Sequence, residues 1–228
     1  MAIEKAMMVV STKARPEKQQ AYNIWYDEHI SLLFAFGGME RVSRNFCTLP
    51  LGDSGGNSPE YLTIYELKNK ADIEVFFNSP QMEQAKKQFE EKWDGLGDVL
   101  WSGWYEPIKT LERGPLITPK RYMEIVGSEP KTGQDTAYLN YYTNHFTKMF
   151  AYNGIKNISY SRQLQKLAQN NKSPEYITIY NFESKEAREA FYQHQIFTEA
   201  EKDWKEIGQP VMDLQWAACY DSVKMLER

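Results

Sequence analysis

The spacing of apolar positions in the first half of the chain switches between a period of two and a helical period. Ala6–Lys13 is a short apolar-then-polar run, read as a strand. Pro16 suits the first turn of a helix, where its missing N–H costs little. Trp25, His29, Leu32 and Phe36 then fall on one helical face, with Ala21 and Leu33 beside them. Gly37-Gly38 ends this helix. Met39–Thr48 alternates as a strand, and Pro50 to Pro59, rich in glycine, reads as a loop. Tyr61–Leu67 is dense in aromatic and β-branched residues, the composition of a strand. Asp72–Trp93 has helical spacing interrupted at Asn78-Ser79-Pro80, which predicts a kink or two helices. Val99–Tyr105 is the last strand of the half.

The order then repeats. Strands are expected at Arg121–Gly127, Ile155–Leu164, Glu175–Phe182 and Leu214–Tyr220, with helices over Thr136–Tyr152 and Ser184–Ile207. The residues repeat as well. SPEYLTIY at 58–65 returns as SPEYITIY at 173–180, 115 positions later. KTLER at 109–113 returns as KMLER at 224–228 with the same offset. HISLLFAFGG at 29–38 matches HFTKMFAYNG at 145–154, offset by 116. Three blocks in one order imply a unit written twice, over residues 1–113 and 120–228. Gly114 to Pro119, with two prolines, is the expected joint.

A β-α-β-β-α-β unit folds as a four-stranded antiparallel sheet with both helices on one face, the ferredoxin-like arrangement. The other face needs cover, since it would expose side chains such as Val42 and Ile64, each worth roughly 1.5–3 kcal/mol when buried. Packing the two sheets face to face supplies that cover. The chain would then contain its own pseudo-dimer, with further oligomerisation left open.

Composition narrows the class. With 27 basic and 31 acidic residues the chain is mildly acidic, unlike a nucleic-acid binder with a basic face. No apolar run approaches the roughly 20 residues of a membrane span, and the first ten residues lack the pattern of a signal peptide. Cys47 and Cys219 are too few for a disulfide framework and lack metal-ligand spacing. A reduced, cytoplasmic protein is the expectation, with no metal and no phosphate-binding glycine loop. The unusual feature is 15 tyrosines and 6 tryptophans, which call for an explanation in packing or in a ligand.

Tyr22 to Ile30 (YNIWYDEHI), then Phe34 to Gly38 (FAFGG), then Val42-Ser43-Arg44 resemble the WY-x-x-H, glycine, arginine pattern of dimeric α+β barrel proteins, particularly EthD-like ones. Tyr141 to His145, Asn153-Gly154 and Ser161-Arg162 form a more divergent second copy. The pattern's proline before the glycine is absent: Gly37 and Asn153 stand there. The resemblance implies an α+β barrel with a pocket between sheet and helices in each half. It also implies a range of activities: cofactor-free monooxygenases of aromatic polyketides, cyclases, lactone isomerases, haem-dependent relatives and barrels without a known reaction.

The residues suggest what such a pocket would hold. His29 and His145, two of only three histidines, occupy matching inward positions. A partly buried imidazole is biased to its neutral form and can take and return a proton; alternatively each ring ties its helix to a strand carbonyl. Asp27, present only in the first copy, and Tyr26 are candidate assistants of His29, with Tyr142 the counterpart of Tyr26. Asp27 also reads as a solvated helix residue, the more ordinary role for an acidic side chain there. Arg44 and Arg162 could clamp an enolate or carboxylate, or form strand-edge ion pairs with Glu60 or Glu175. Trp25, Tyr141 and the same-parity pairs Tyr61/Tyr65, Tyr176/Tyr180, Trp101/Tyr105 and Trp216/Tyr220 form aromatic rows. Such rows suit either core packing or a flat aromatic ligand bearing hydroxyl or carbonyl groups.

The leading expectation is a cofactor-independent enzyme acting through His29, and through His145 if both halves work. The rival is a non-catalytic binding or stress-response barrel; haem ligation by His29 is a third reading by analogy. An empty helix–sheet cavity reached by both His29 and Tyr65 favours the enzyme. A filled space with each imidazole bonded to backbone favours the scaffold.

Overall fold

A computed structural model describes residues 5–52, 57–114, 120–167 and 173–228. Parts of the glycine-rich loop and of the proline joint lie outside the described residues. The first half contains β1 (Ala6–Ala14), α1 (Gln19–Phe34), β2 (Met39–Pro50), β3 (Tyr61–Leu67), α2 (Asp72–Phe77), α3 (Pro80–Lys92) and β4 (Gly97–Glu112). The second contains β5 (Tyr122–Pro130), α4 (Asp135–Phe150), β6 (Ile155–Lys166), β7 (Tyr176–Phe182), α5 (Lys185–Phe191), α6 (Gln195–Asp203), a π-helical turn at Trp204–Gly208, α7 (Gln209–Val211) and β8 (Met212–Glu227). Each half is thus a β-α-β-β-α-β unit whose second helical segment is broken.

Local chemistry places these boundaries. Pro16 opens a 3₁₀ turn that leads into α1. Ser79 separates α2 from α3, its hydroxyl accepting the Met82 N–H at 3.2 Å with Pro80 in the first helical position. His194 caps α6 in the same way, through Nδ1 and the Ile196 N–H. Gly38 is demanded by a close approach: a Cβ there would stand 2.5 Å from the Phe36 ring. Gly154 repeats this against Tyr152. Gly38→Ala is expected to lower stability by roughly 1–3 kcal/mol through that clash, measured by urea unfolding.

The eight strands close into a barrel in the order β1-β3-β2-β8-β5-β7-β6-β4, all antiparallel neighbours. The two sheets do more than face each other. They join along both edges, β2 with β8 from Arg41↔Glu227 to Pro50↔Ala218, and β4 with β6 from Gly103↔Lys166 to Glu112↔Asn157. These seams are built from strand tails beyond the expected ends at Tyr105 and Tyr220. The repeated KTLER and KMLER segments lie in those tails.

Three apolar clusters result. One fills the barrel interior, with Val9, Ile64, Ile125, Ile179, Trp101 and Trp216 among its members. The others lie between each sheet and its helices. Ile64 faces the interior as expected, but Val42 lies under α1, on the opposite face. Ala21 is exposed, because the buried stripe of α1 is centred on Tyr22, Trp25, Tyr26, Ile30 and Leu33.

Candidate functional site

A cavity of about 290 Å³ lies between α1, α3 and the sheet of the first half. This is just under the roughly 300–1,000 Å³ of small-molecule sites. Trp25, His29 and Leu33, four residues apart on α1, form one wall. Met82, Ala85 and Phe89 of α3 form another, and Met8, Val10, Thr12 and Tyr65 form the floor. Lys86 and Glu90 bring the wall's charges.

His29 borders this cavity with a defined orientation. Its ring lies on that of Trp25, centroids 4.5 Å apart and planes 17° from parallel. Its Nδ1 is 2.9 Å from Gln88 Oε1. Burial lowers its pKa below the ordinary 6.5, against a smaller opposing effect of the Gln88 bond, so the imidazole is neutral near pH 7. The Trp25 indole N–H is buried and has no hydrogen-bond partner. Tyr26 and Tyr65 are buried phenols held protonated by desolvation. Tyr26 sits edge-on to His29, with ring centroids 6.2 Å apart.

Asp27 does not join this group. Positions two apart on a helix do not share a face, and Asp27 turns to Arg44, with Oδ1 3.2 Å from Nη1, and toward Lys224. Arg44 is not in the cavity wall either. Its guanidinium is buried under α1, bonded to Asn23 and Asp27 and stacked 4.7–5.2 Å from the rings of Tyr22, Tyr26 and Tyr61. Neither partner is the Glu60 weighed from the sequence.

Strand register also corrects the pairing of Arg44 with Arg162. Arg44 lies opposite Thr63, and the repeat places Thr178 at the position of Thr63. The residue opposite Thr178 is Tyr160. Tyr160 stacks on Tyr142 and Tyr176, where Arg44 stacks on Tyr26 and Tyr61. Arg162 takes the place of Phe46, opposite Tyr176, and is a half-exposed ion pair with Glu106 at 2.9 Å. It lines neither helix–sheet layer.

The second-half layer has diverged. Tyr141, Tyr142 and Tyr180 belong to its core. His145 stacks on Tyr141 at 5.2 Å, with the Tyr141 hydroxyl 3.3 Å from its Nδ1, and burial lowers its pKa to about 4. Asp203 occupies the position of Gln88, nine residues beyond the helix cap, and is paired with Lys148. Gly208 replaces Trp93, and the freed space is taken by Trp204: a Cβ on Gly208 would stand 2.5 Å from that indole and 2.9 Å from Tyr141.

Trp101, Tyr105, Trp216 and Tyr220 belong to a different part of the molecule from the cavity. Their strand parity turns them into the barrel interior. Trp101 and Trp216 stack at 6.3 Å. The Tyr105 hydroxyl donates to Pro174 O at 2.8 Å, and the Tyr220 hydroxyl donates to Pro59 O at 2.9 Å. This reciprocal pair ties each half to the other, so these four residues hold the barrel together and are no part of the cavity wall.

A buried polar cluster went unread in the sequence. Where the first half has Met8, Phe77 and Trp104, the second has Glu124, Tyr192 and Cys219. The Tyr192 hydroxyl donates to Glu124 Oε2 at 2.8 Å and lies 3.1 Å from Cys219 Sγ. Burial pushes Glu124 up to about 7 and the Cys219 thiol up to about 11. Native Glu124 therefore binds a proton that an unfolded carboxyl releases near 4.5, so stability falls as pH rises from about 4.5 to about 7 and the loss is complete above that. Glu124→Gln is expected to match the wild type at pH 4.5 and to exceed it by roughly 3 kcal/mol at pH 8, in urea unfolding at the two pH values. Comparing the two halves position by position was the signal that could have found this cluster. Gln88, whose side chain meets His29 across the contact of α1 with α3, likewise has no signal within α3 alone.

Among the described residues no group of His, Cys, Asp and Glu could hold a metal ion, and no helix is long and apolar enough to cross a membrane.

No protein-family model matches the sequence, and no curated protein is significantly similar to it. Solved structures do match over nearly the whole chain. A candidate monooxygenase from Fusobacterium nucleatum superposes with a TM-score of 0.67 at 8% identity, covering 100% of this chain and 96% of that one. An anthrone oxidase-like protein gives 0.63 at 13%, covering 98% and 93%. A haem-binding protein from Thermus thermophilus gives 0.53 at 10%, covering 99% and 92%. The fold is that of the dimeric α+β barrels. At these identities the likeness concerns fold alone.

The helix–sheet spaces of the two halves do not fit a haem. A porphyrin with two propionates needs a wide slot and paired basic side chains. Here the first-half cavity measures about 290 Å³ and carries Lys86 beside Glu90, and the matching space in the second half holds Trp204.

Proposed function

We propose that the chain is a tandem duplication of an EthD-like α+β barrel unit, over residues 1–113 and 120–228. Its first half would act as a small cofactor-independent enzyme of monooxygenase type on a flat aromatic molecule, in the cytoplasm. The observation that carries this reading is the cavity bordered by both His29 and Tyr65, with His29 bonded to a side chain and not to backbone. A neutral imidazole beside an apolar, aromatic-walled space suits removal of a proton from a weakly acidic carbon or phenol. The apolar walls favour a substrate whose carbanion is delocalised over fused rings, and Tyr26 is available to position its oxygen.

The anthrone oxidase-like neighbour suggests the probe. Anthrone has a doubly activated CH₂ para to its carbonyl through both rings. Proton transfer to His29 would leave a carbanion able to reduce dioxygen. One oxygen atom ends on carbon and the other leaves as water: anthrone plus O₂ gives anthraquinone plus H₂O. The test is aerobic turnover of anthrone by purified protein, followed by anthraquinone absorbance against the spontaneous rate. Acceleration supports the reading. Binding of anthrone without acceleration would support the rival, a non-catalytic binding barrel.

A further inference from the structure

The neutral ring of His29 has two tautomers, and only one leaves a lone pair on the nitrogen that Gln88 does not touch. Gln88 Oε1 is 2.9 Å from Nδ1. A carbonyl oxygen there accepts, so Nδ1 carries the hydrogen and Nε2 carries the lone pair. The stacked Trp25 ring fixes the plane of the imidazole, and both residues border the same cavity.

The second half lacks this arrangement. Tyr141 replaces Trp25 and places its hydroxyl on His145 Nδ1. Asp203, in the place of Gln88, is engaged by Lys148. Among the described residues an amide that orients a histidine in this way therefore stands only beside the first-half cavity.

We propose that Gln88 is a positioning residue that holds His29 as the Nδ1–H tautomer. The proposal deepens the reading of His29 as a base: the site takes a proton at Nε2.

The test uses full-length protein labelled with ¹⁵N-histidine and long-range ¹H–¹⁵N spectra, which report the tautomer without any substrate. Wild type is expected to show His29 protonated at Nδ1 and bare at Nε2. Gln88→Leu should lose this preference, and Gln88→Glu, which can only accept, should restore it. Gln88 is half-exposed, so these variants should fold. A wild-type His29 protonated at Nε2, or a tautomer unchanged in Gln88→Leu, overturns the Gln88 role. If anthrone is also turned over, kcat should fall in Gln88→Leu with KM nearly unchanged. If the tautomer results hold and wild type does not accelerate anthrone oxidation, the catalytic reading fails while the Gln88 assignment stands.

Discussion

His29→Ala should lower kcat/KM for aerobic anthrone oxidation by roughly 10²–10⁴-fold, the usual contribution of a positioned general base. His145→Ala should change it by less than about twofold. The asymmetry follows from the two layers. His29 borders open space and is held by Gln88. His145 lies against the Tyr141 hydroxyl in a layer where Trp204 packs on Gly208 and Tyr141. The pH profile is a second check. The base form is the active one, and burial lowers the His29 pKa, so the acid limb should fall below the ordinary 6.5. Anthraquinone formation in stopped-flow or steady-state absorbance measures both. No loss in His29→Ala would remove His29 from the mechanism, and equal losses in the two variants would overturn the asymmetry between the halves.

Arg44→Ala should cost roughly 4 kcal/mol, from the cavity left by a large buried side chain and the loss of its charge-assisted hydrogen bonds. The side chain is 3% exposed, bonds to Asn23 and Asp27, and fills the space bounded by the rings of Tyr22, Tyr26 and Tyr61. Truncation strands the Asn23 carbonyl, leaves Asp27 with Lys224 alone, and opens a cavity beneath α1. For a chain of this size the melting temperature should fall by roughly 8–16 °C. Arg44→Tyr should recover much of the loss, because Tyr160 fills the matching position of the second half and stacks on the matching rings. Calorimetry on both variants tests this. Equal destabilisation by alanine and tyrosine would break the proposed equivalence of Arg44 and Tyr160.

That equivalence also marks where reading the sequence ran out. Matching Arg44 to Arg162 by residue type was natural, since each follows a helix-ending glycine on the next strand. The true partner differs in chemistry, an aromatic ring for a cation, and only the hydrogen-bond register across β6 and β7 identifies it. Asp27 was misplaced for a related reason. Nearness in sequence to His29 suggested cooperation, but a helix turns adjacent residues to different neighbours. The aromatic rows on β4 and β8 had the right parity and the wrong destination. Parity says that Trp101 and Tyr105 share a face, not whether that face meets helices or the barrel interior.

The sequence by itself determined the repeated blocks, the order of strands and helices, the breaks at Pro16, Gly38 and Ser79, and the inward turn of His29. Each depends on chemistry within a few residues: a missing N–H, a close backbone approach, a cap, a period. The tertiary structure alone decided the seams, where the tails ending at Glu112 and Glu227 pair with the other half. These tails carry charges, and the first carries Pro107, so their pairing depends on a distant edge that needs a partner. It also decided that the first-half layer holds an open cavity while Trp204 fills the matching space of the second. Volume between helices is set by the sum of side chains from separate elements, and no single stretch of sequence contains that sum.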